Sequence, residues 1–239
     1  MFEVERRDEV LRLGAPGARW LSSGFDGGFR RADAAYNVTV PEGFDRTDLA
    51  TYAAERRGAV EFPDAGPTLL TGVSQQHARV ARDGPVTAVV TAGLSNPAAL
   101  PMDPGEEADV DAADRDGDAP PRPGTVNVLV GTTHPLADGG LAGLLATSVE
   151  ARTTTLDRTT GFPGTTSDAV VVGCPPGEEP ASFAGSATEV GTAARACVRD
   201  ALRASLASRY ADESLPVSVA DARYGTTTTR RADVFAPGE

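Results

Sequence analysis

Apolar and charged positions alternate from Phe2 to Leu13 around a break at Arg7-Asp8, a pattern that predicts a β-hairpin. Arg19-Trp20-Leu21 continues as a strand into Ser22-Ser23-Gly24-Phe25-Asp26-Gly27-Gly28-Phe29, a loop whose glycines let the backbone approach a ligand closely. Tyr36–Val40 reads as a strand closed by Pro41 and Gly43, with Asn37 interrupting its apolar run. A short helix is expected over Thr47–Arg57, capped by Asp45 or Thr47 and stopped by Gly58. Ala78–Arg82 and Val86–Ala92, joined through Asp83-Gly84-Pro85, predict a second hairpin, and Gly124–Gly131 predicts a buried strand whose one amide is Asn127.

The period then lengthens. Leu141, Leu144, Leu145, Val149 and Leu156 fall on one helical stripe, and Arg152 projects within it. Glu150 lies on the opposite face among Gly143, Ala146, Thr147, Thr153 and Thr154, small side chains that would let a ligand come near. The loop 161–167 cannot continue this helix, and it delivers Asp168 to the β-branched run Val170-Val171-Val172. Ser186 and Glu189 form a capping-box pattern that opens a second long helix, running to about Tyr210 with Arg195, Arg199 and Arg203 on its solvent side. Leu215–Ala220 is expected to add a last strand. The elements together predict an α+β fold: a mixed, largely antiparallel sheet packed with helices in a single sandwich-like domain over residues 1–225, followed by a frayed tail, 226–239.

Charge changes the picture in two places. Residues 101–123 carry eight acidic side chains, with proline at both ends and almost no apolar content, and are expected to form a disordered insertion. Its Asp-rich run fails as a calcium loop, because counting back from Gly117 puts Ala112 at the first ligand position and Pro123 at the closing one. Over the whole chain 34 acidic residues face 22 basic ones, all arginine, for a net charge of −12. A lysine-free, carboxylate-rich chain resembles a protein adapted to high salt, and its field would repel nucleic acid. No apolar run reaches the length of a signal segment or membrane span, so a cytoplasmic location is expected. Cys174 and Cys197, with two histidines, His77 and His134, show no metal-ligand spacing, so no metal site and no resident cofactor are expected.

Candidate chemistry lies in hydroxyls, amides and carboxylates at strand ends. Ser22-Ser23 followed by Gly27-Gly28, Asn37 before a strand, Thr91-Ala92-Gly93-Leu94-Ser95-Asn96, Gly124-Thr125-Val126-Asn127, Ala146–Thr153 and Gly164-Thr165-Thr166-Ser167-Asp168-Ala169 stand in one order over most of residues 19–205. As a set these blocks resemble the adenosylcobinamide amidohydrolase (CbiZ) family, in a haloarchaeal-like form, with Arg152 where the family pattern has lysine and Ser167 where it has threonine. The resemblance implies a corrinoid-salvage enzyme that hydrolyses the amide joining aminopropanol to the corrin ring of adenosylcobinamide, giving adenosylcobyric acid for coenzyme B12 synthesis. The cobalt corrinoid is then substrate rather than cofactor, and the partner is that small molecule, with a homo-oligomer compatible. The alternative is a non-catalytic corrinoid carrier. Amide hydrolysis needs a base, a nucleophile, oxyanion donors and an acid for the leaving amine. The chemistry of the side chains nominates Glu150, Asp168, Thr165 and Ser23 for catalysis, and Ser22, Gly27, Gly28, Asn37, Asn96, Asn127, Arg152, Thr166 and Ser167 for binding. No Ser-His-Asp set is available.

Overall fold

The chain's first hairpin sets the architecture. In the computed structural model, which describes residues 2–62, 64–103 and 125–238, β1 (Glu3–Arg7) turns through Asp8 into β2 (Val10–Ser22). A register irregularity between Gly14 and Ala18 divides β2 in two. Its first half pairs with β1, and its second half, Arg19–Ser22, pairs antiparallel with a strand from the other end of the chain. β3 (Gly28–Thr39) runs along both halves and carries β4 (Thr68–Thr71) parallel to its last residues. Between them α1 (Leu49–Ala59) crosses the outer face. The second hairpin is β5 (Arg79–Asp83) with β6 (Val86–Ala92), and β8 (Val126–Thr132) follows after the short β7 (Pro97–Ala99). Then come α2 (Asp138–Thr160), β9 (Gly164–Thr165), β10 (Ala169–Cys174), α3 (Glu189–Arg209) and β11 (Thr226–Thr227).

Eight strands form one mixed sheet in the order β4-β3-β2-β10-β8-β6-β5, with β1 beside the first half of β2. β10 and β8 are parallel, as are β3 and β4, and the remaining pairs are antiparallel, so the expected α+β class holds. Successive residues of β6, β8 and β10 serve different cores, as a period of two requires. Val90, Val128 and Val172 pack with Leu141, Leu144, Val198 and Leu202 of α2 and α3. Val89, Leu129 and Val171 point the other way, onto Leu11, Leu13, Trp20, Ala35 and Leu69, so the sheet folds back over itself and buries these central strands on both faces. Each fully buried Leu or Val contributes about 1.5–3 kcal/mol. Outside this second layer Tyr52 of α1 packs with Tyr36, Val38 and Phe62.

Several local expectations change. β3 begins at Gly28 rather than Tyr36, because residues 28–31 are an exposed edge whose sequence, Gly-Phe-Arg-Arg, carries no alternation. α1 starts at Leu49, and Asp48 precedes it without capping because both its oxygens are held by Arg46. It also runs through Gly58 to Ala59. Thr188, not Ser186, caps α3 by accepting the Gly191 N–H at 3.0 Å. Residues 215–220 form no strand. A short 3₁₀ turn, Val219–Asp221, is closed there by a Ser218–Asp221 capping box. The strand is β11 instead, inside the tail expected to fray, and it pairs parallel with β7 in a small sheet, β11-β7-β9. Of the acidic insertion, residues 104–123 lie outside the described residues.

Candidate active site

One end of the sandwich collects most of the candidate residues, because there β2 ends, β10 begins and β8 begins side by side. Ser23, Thr166, Ser167 and Asp168 line a cavity of about 330 Å³ whose other walls are largely apolar: Phe25, Phe44, Leu49, Leu69 and Leu70. Asp168 is the one ionisable side chain in this lining. Its position follows from local chemistry, since Gly161 ends α2 in the left-handed conformation and the turn before β10 needs a side chain to hold it.

Asp168 holds that turn with four contacts. Oδ1 accepts from Val126 N at 2.9 Å and from Thr165 Oγ1 at 2.5 Å. Oδ2 accepts from Thr165 N at 2.9 Å and lies 3.1 Å from an Arg152 nitrogen. A carboxylate has about four lone-pair positions, and here all are occupied. The pair is well buried, with Asp168 6% and Arg152 13% exposed. This explains an arginine within a leucine stripe: Arg152 reaches along the core face of α2 to the one carboxylate there. Arg152 Nε is buried without a partner among the described residues.

The neutral candidates surround this pair. Asn96, at the start of β7, donates to Thr166 Oγ1 at 2.6 Å and to Ser167 Oγ at 3.2 Å, and its carbonyl accepts Thr166 N. Ser23 prolongs the β2–β10 ladder, its Oγ accepting from Val170 N at 2.9 Å and its N–H donating to Val170 O. Ser22 Oγ accepts Gly24 N, turning the chain into the loop that holds Gly27 and leads to Gly28 at the start of β3, and neither glycine lines the cavity. Beneath the cavity the interlayer space is polar. Asn127 Nδ2 donates to Asn37 Oδ1 at 2.8 Å and to Leu70 O, and Asn37 Nδ2 donates to Thr91 Oγ1 at 2.8 Å. Asn127 Oδ1 is buried with no partner among the described residues.

Sequence reasoning missed the support for this layer. Gln75, fully buried, joins it through Asn37 and Thr39. Its own N–H, and the Ser74 hydroxyl, donate to Glu9, each at 2.8 Å. Burial pushes the Glu9 carboxyl up, but the hydrogen bonds from Gln75, Thr39 and Ser74 outweigh it, so Glu9 titrates below the ordinary glutamate range. The turn Ser74–His77 gives no periodic signal, so nothing in the pattern could flag it.

Glu150 does not join the site. It stands 54% exposed on α2 and pairs with Arg195 of α3 at 2.5 Å. The face that suggested ligand access turns towards α3 and the segment before it instead, as the Glu150–Arg195 pair and the bond from Thr147 Oγ1 to Ala184 O show. His77 sits against Ser208 of α3, where burial and then Arg209 and Arg79 hold its pKa below the usual histidine value. His134 is exposed. Both cysteines are free and buried, and burial pushes the Cys197 thiol up to about 11. Among the described residues no three His, Cys, Asp or Glu side chains come together as metal ligands, and no helix is long and apolar enough to cross a membrane. A second cavity, of about 500 Å³, shares Val40 and Phe44 with the first and is more polar.

Residues 2–214 match the family described as adenosylcobinamide amidohydrolase. The chain is 54% identical over 239 residues to the adenosylcobinamide amidohydrolase of Halobacterium salinarum, covering 99% of this chain and 100% of that one. It is 27% identical over 201 residues to that of Methanosarcina mazei, covering 79% and 90% of the two chains.

Proposed function

The chain belongs to the adenosylcobinamide amidohydrolase family, and from that premise we infer that it hydrolyses the aminopropanol amide of adenosylcobinamide to adenosylcobyric acid, an amidohydrolase step of corrinoid salvage. The observation that carries the assignment to this cavity is that a single ionisable group, Asp168, stands in an apolar lining otherwise supplied with hydroxyls.

The proposed chemistry is attack by water, with Asp168 as the proton acceptor. Three of its four donors, Val126 N, Thr165 N and Arg152, are fixed by the fold and hold the carboxylate in one orientation. The fourth, the Thr165 hydroxyl at 2.5 Å, directs its proton at Oδ1. Thr165 would pass its proton to Asp168 while taking one from the attacking water. The tetrahedral oxyanion would be met by Ser23, Thr166 or Ser167, the last two oriented by Asn96. Collapse expels the amine, and the proton on Asp168 returns through Thr165 to the leaving nitrogen, so the overall change is amide plus water to acid plus amine. Asn37 and Asn127 support the cavity floor from below rather than meeting the reacting atoms. Glu150 has no part in the scheme, and the solvated setting of a high-salt cytoplasm suits the acidic surface.

The test is chromatography of corrinoid products after incubating the purified protein with adenosylcobinamide in high salt. Adenosylcobyric acid with free aminopropanol is the expected result. Tight corrinoid binding with no product under saturating substrate would instead identify a carrier.

A further inference from the structure

The second cavity is built partly by sequence that the family match does not include. That match ends at residue 214, yet Arg223 and Tyr224 line the 500 Å³ cavity, facing Glu42, Phe44 and Tyr210. The segment carrying them is seated at defined points. Tyr224 N donates to Ser95 O at 2.7 Å, next to Asn96, and Thr228 N donates to Ala99 O at 2.9 Å, either side of the β11–β7 pairing. Gly225 is buried so tightly that an added Cβ would stand 2.8 Å from Val219 and 3.0 Å from Pro97 O. Through β7 the same small sheet reaches β9, whose Thr165 contacts Asp168.

The chemistry of the lining selects its occupant. Two arginines would suggest an anion, but each already has a carboxylate partner: Arg223 pairs with Glu42 and Arg209 with Glu213. Each guanidinium also lies over the adjacent tyrosine ring, Arg209 at 5.1 Å from Tyr210 and Arg223 at 5.4 Å from Tyr224. What remains on offer is aromatic surface from Phe44 and the two tyrosines, with hydrogen-bonding groups at its edge. The Tyr210 hydroxyl, for example, accepts Leu94 N at 2.8 Å and so has its own proton to give. Such a lining suits a flat, uncharged, hydrogen-bonding ring with a sugar.

Resting on the functional reading above, we propose that residues 215–228 form a strap that completes a nucleoside subsite, and that this subsite takes the adenosyl group of the corrinoid while the amide reacts in the neighbouring cavity. The strap is then a specificity element for the adenosylated substrate. Val40 and Phe44 line both cavities, which sets the two side by side, as a substrate with its reacting amide in one and its nucleoside in the other requires.

The experiment compares Y224A, and separately R223A, with the unaltered protein. Substrates are adenosylcobinamide and the cobinamide that carries only water on its upper face, with equilibrium dialysis of 5′-deoxyadenosine as a second measurement and thermal melts on each variant. The unaltered protein is expected to prefer the adenosylated substrate in kcat/KM and to bind the free nucleoside. Y224A is expected to raise KM for the adenosylated substrate at least tenfold, to collapse the preference towards one and to weaken nucleoside binding in parallel. Equal losses on both substrates, an unchanged preference, or no preference in the unaltered protein would overturn the proposal. Should the protein hydrolyse neither substrate, the functional reading fails, and nucleoside binding that is lost in Y224A decides the subsite by itself.

Discussion

The two ends of the space between the folded halves of the sheet are filled in opposite ways. At one end the rings of Phe2 and Trp20 meet edge to face, with centroids 5.6 Å apart, over Gly131 and Gly173. Those strands have no Cβ there because one at Gly173 would stand 2.4 Å from the Trp20 ring. At the other end the same layer holds Asn37, Thr91, Asn127 and Gln75, all buried, and adjoins the cavity wall where Asn127 donates to Leu70 O. Burying amides costs free energy unless every group is paired, and Asn127 Oδ1 lacks a partner among the described residues. The aromatic end therefore contributes stability, and the amide end gives up part of it to keep a polar layer behind the cavity wall at Leu70.

The comparison breaks most visibly at Asp168. Asp168→Asn is expected to lower turnover per folded molecule by about 10²–10⁴ through loss of the proton acceptor. It should also destabilise by about 3 kcal/mol, because Arg152 loses the carboxylate that compensates its buried charge. Turnover and thermal melts on one preparation separate the two effects, and near-normal turnover of well-folded variant would remove Asp168 from the chemistry. At the aromatic end Trp20→Ala should do the reverse, costing about 3–5 kcal/mol with turnover per folded molecule retained. A turnover that falls in step with the melt would show that the two ends are coupled.

Acid sharpens the contrast more gently. His77 and Glu9 both have folded pKa values below their ordinary ones, so each contributes stability that is present above the unfolded pKa and lost as pH falls through the folded value. Stability should start to decline below about pH 6.5 through His77 and decline further below about 4.3 through Glu9. Subtracting the melting profile of Glu9→Gln from that of the unaltered protein should isolate the lower stage, and a flat difference would place the support of the amide layer elsewhere. The smallest effect is expected from Glu150→Gln, within about 0.5 kcal/mol and with turnover unaffected, because its pair with Arg195 is exposed. A marked loss of turnover would return Glu150 to the mechanism.

How far the sequence was legible followed the range of the interaction involved. The hairpin at Asp83-Gly84-Pro85 and the two long helices are local patterns, and they stand where expected. The place of Asp168 was legible because the hydroxyl-rich loop before it and the β-branched run after it fix it at a strand end, whereas its contacts with Val126 N and Arg152 were not. Glu150 misled because the pattern shows which residues share a helix face but not what that face meets, and here it met α3. Arg152 was the telling irregularity, a charge in an apolar stripe, whose meaning needed its partner sixteen residues away. β11 and the cavity wall formed by Arg223 and Tyr224 had no local signal, since a two-residue strand is specified by the neighbour that it pairs with.

The divided edge of β2 also bears on how the protein is made. Its second half waits for β10, and the bond from Ser23 to Val170 spans 147 residues. At a ribosome adding about 5–20 residues per second, that partner arrives on the order of ten seconds after the hairpin has emerged. Throughout that interval Trp20 and Leu21 lie on an open strand edge, the kind of surface on which nascent chains associate. Arg19 within this stretch, and Arg30 and Arg31 opposite it on β3, set charge beside the edge that stays unpaired until synthesis delivers β10.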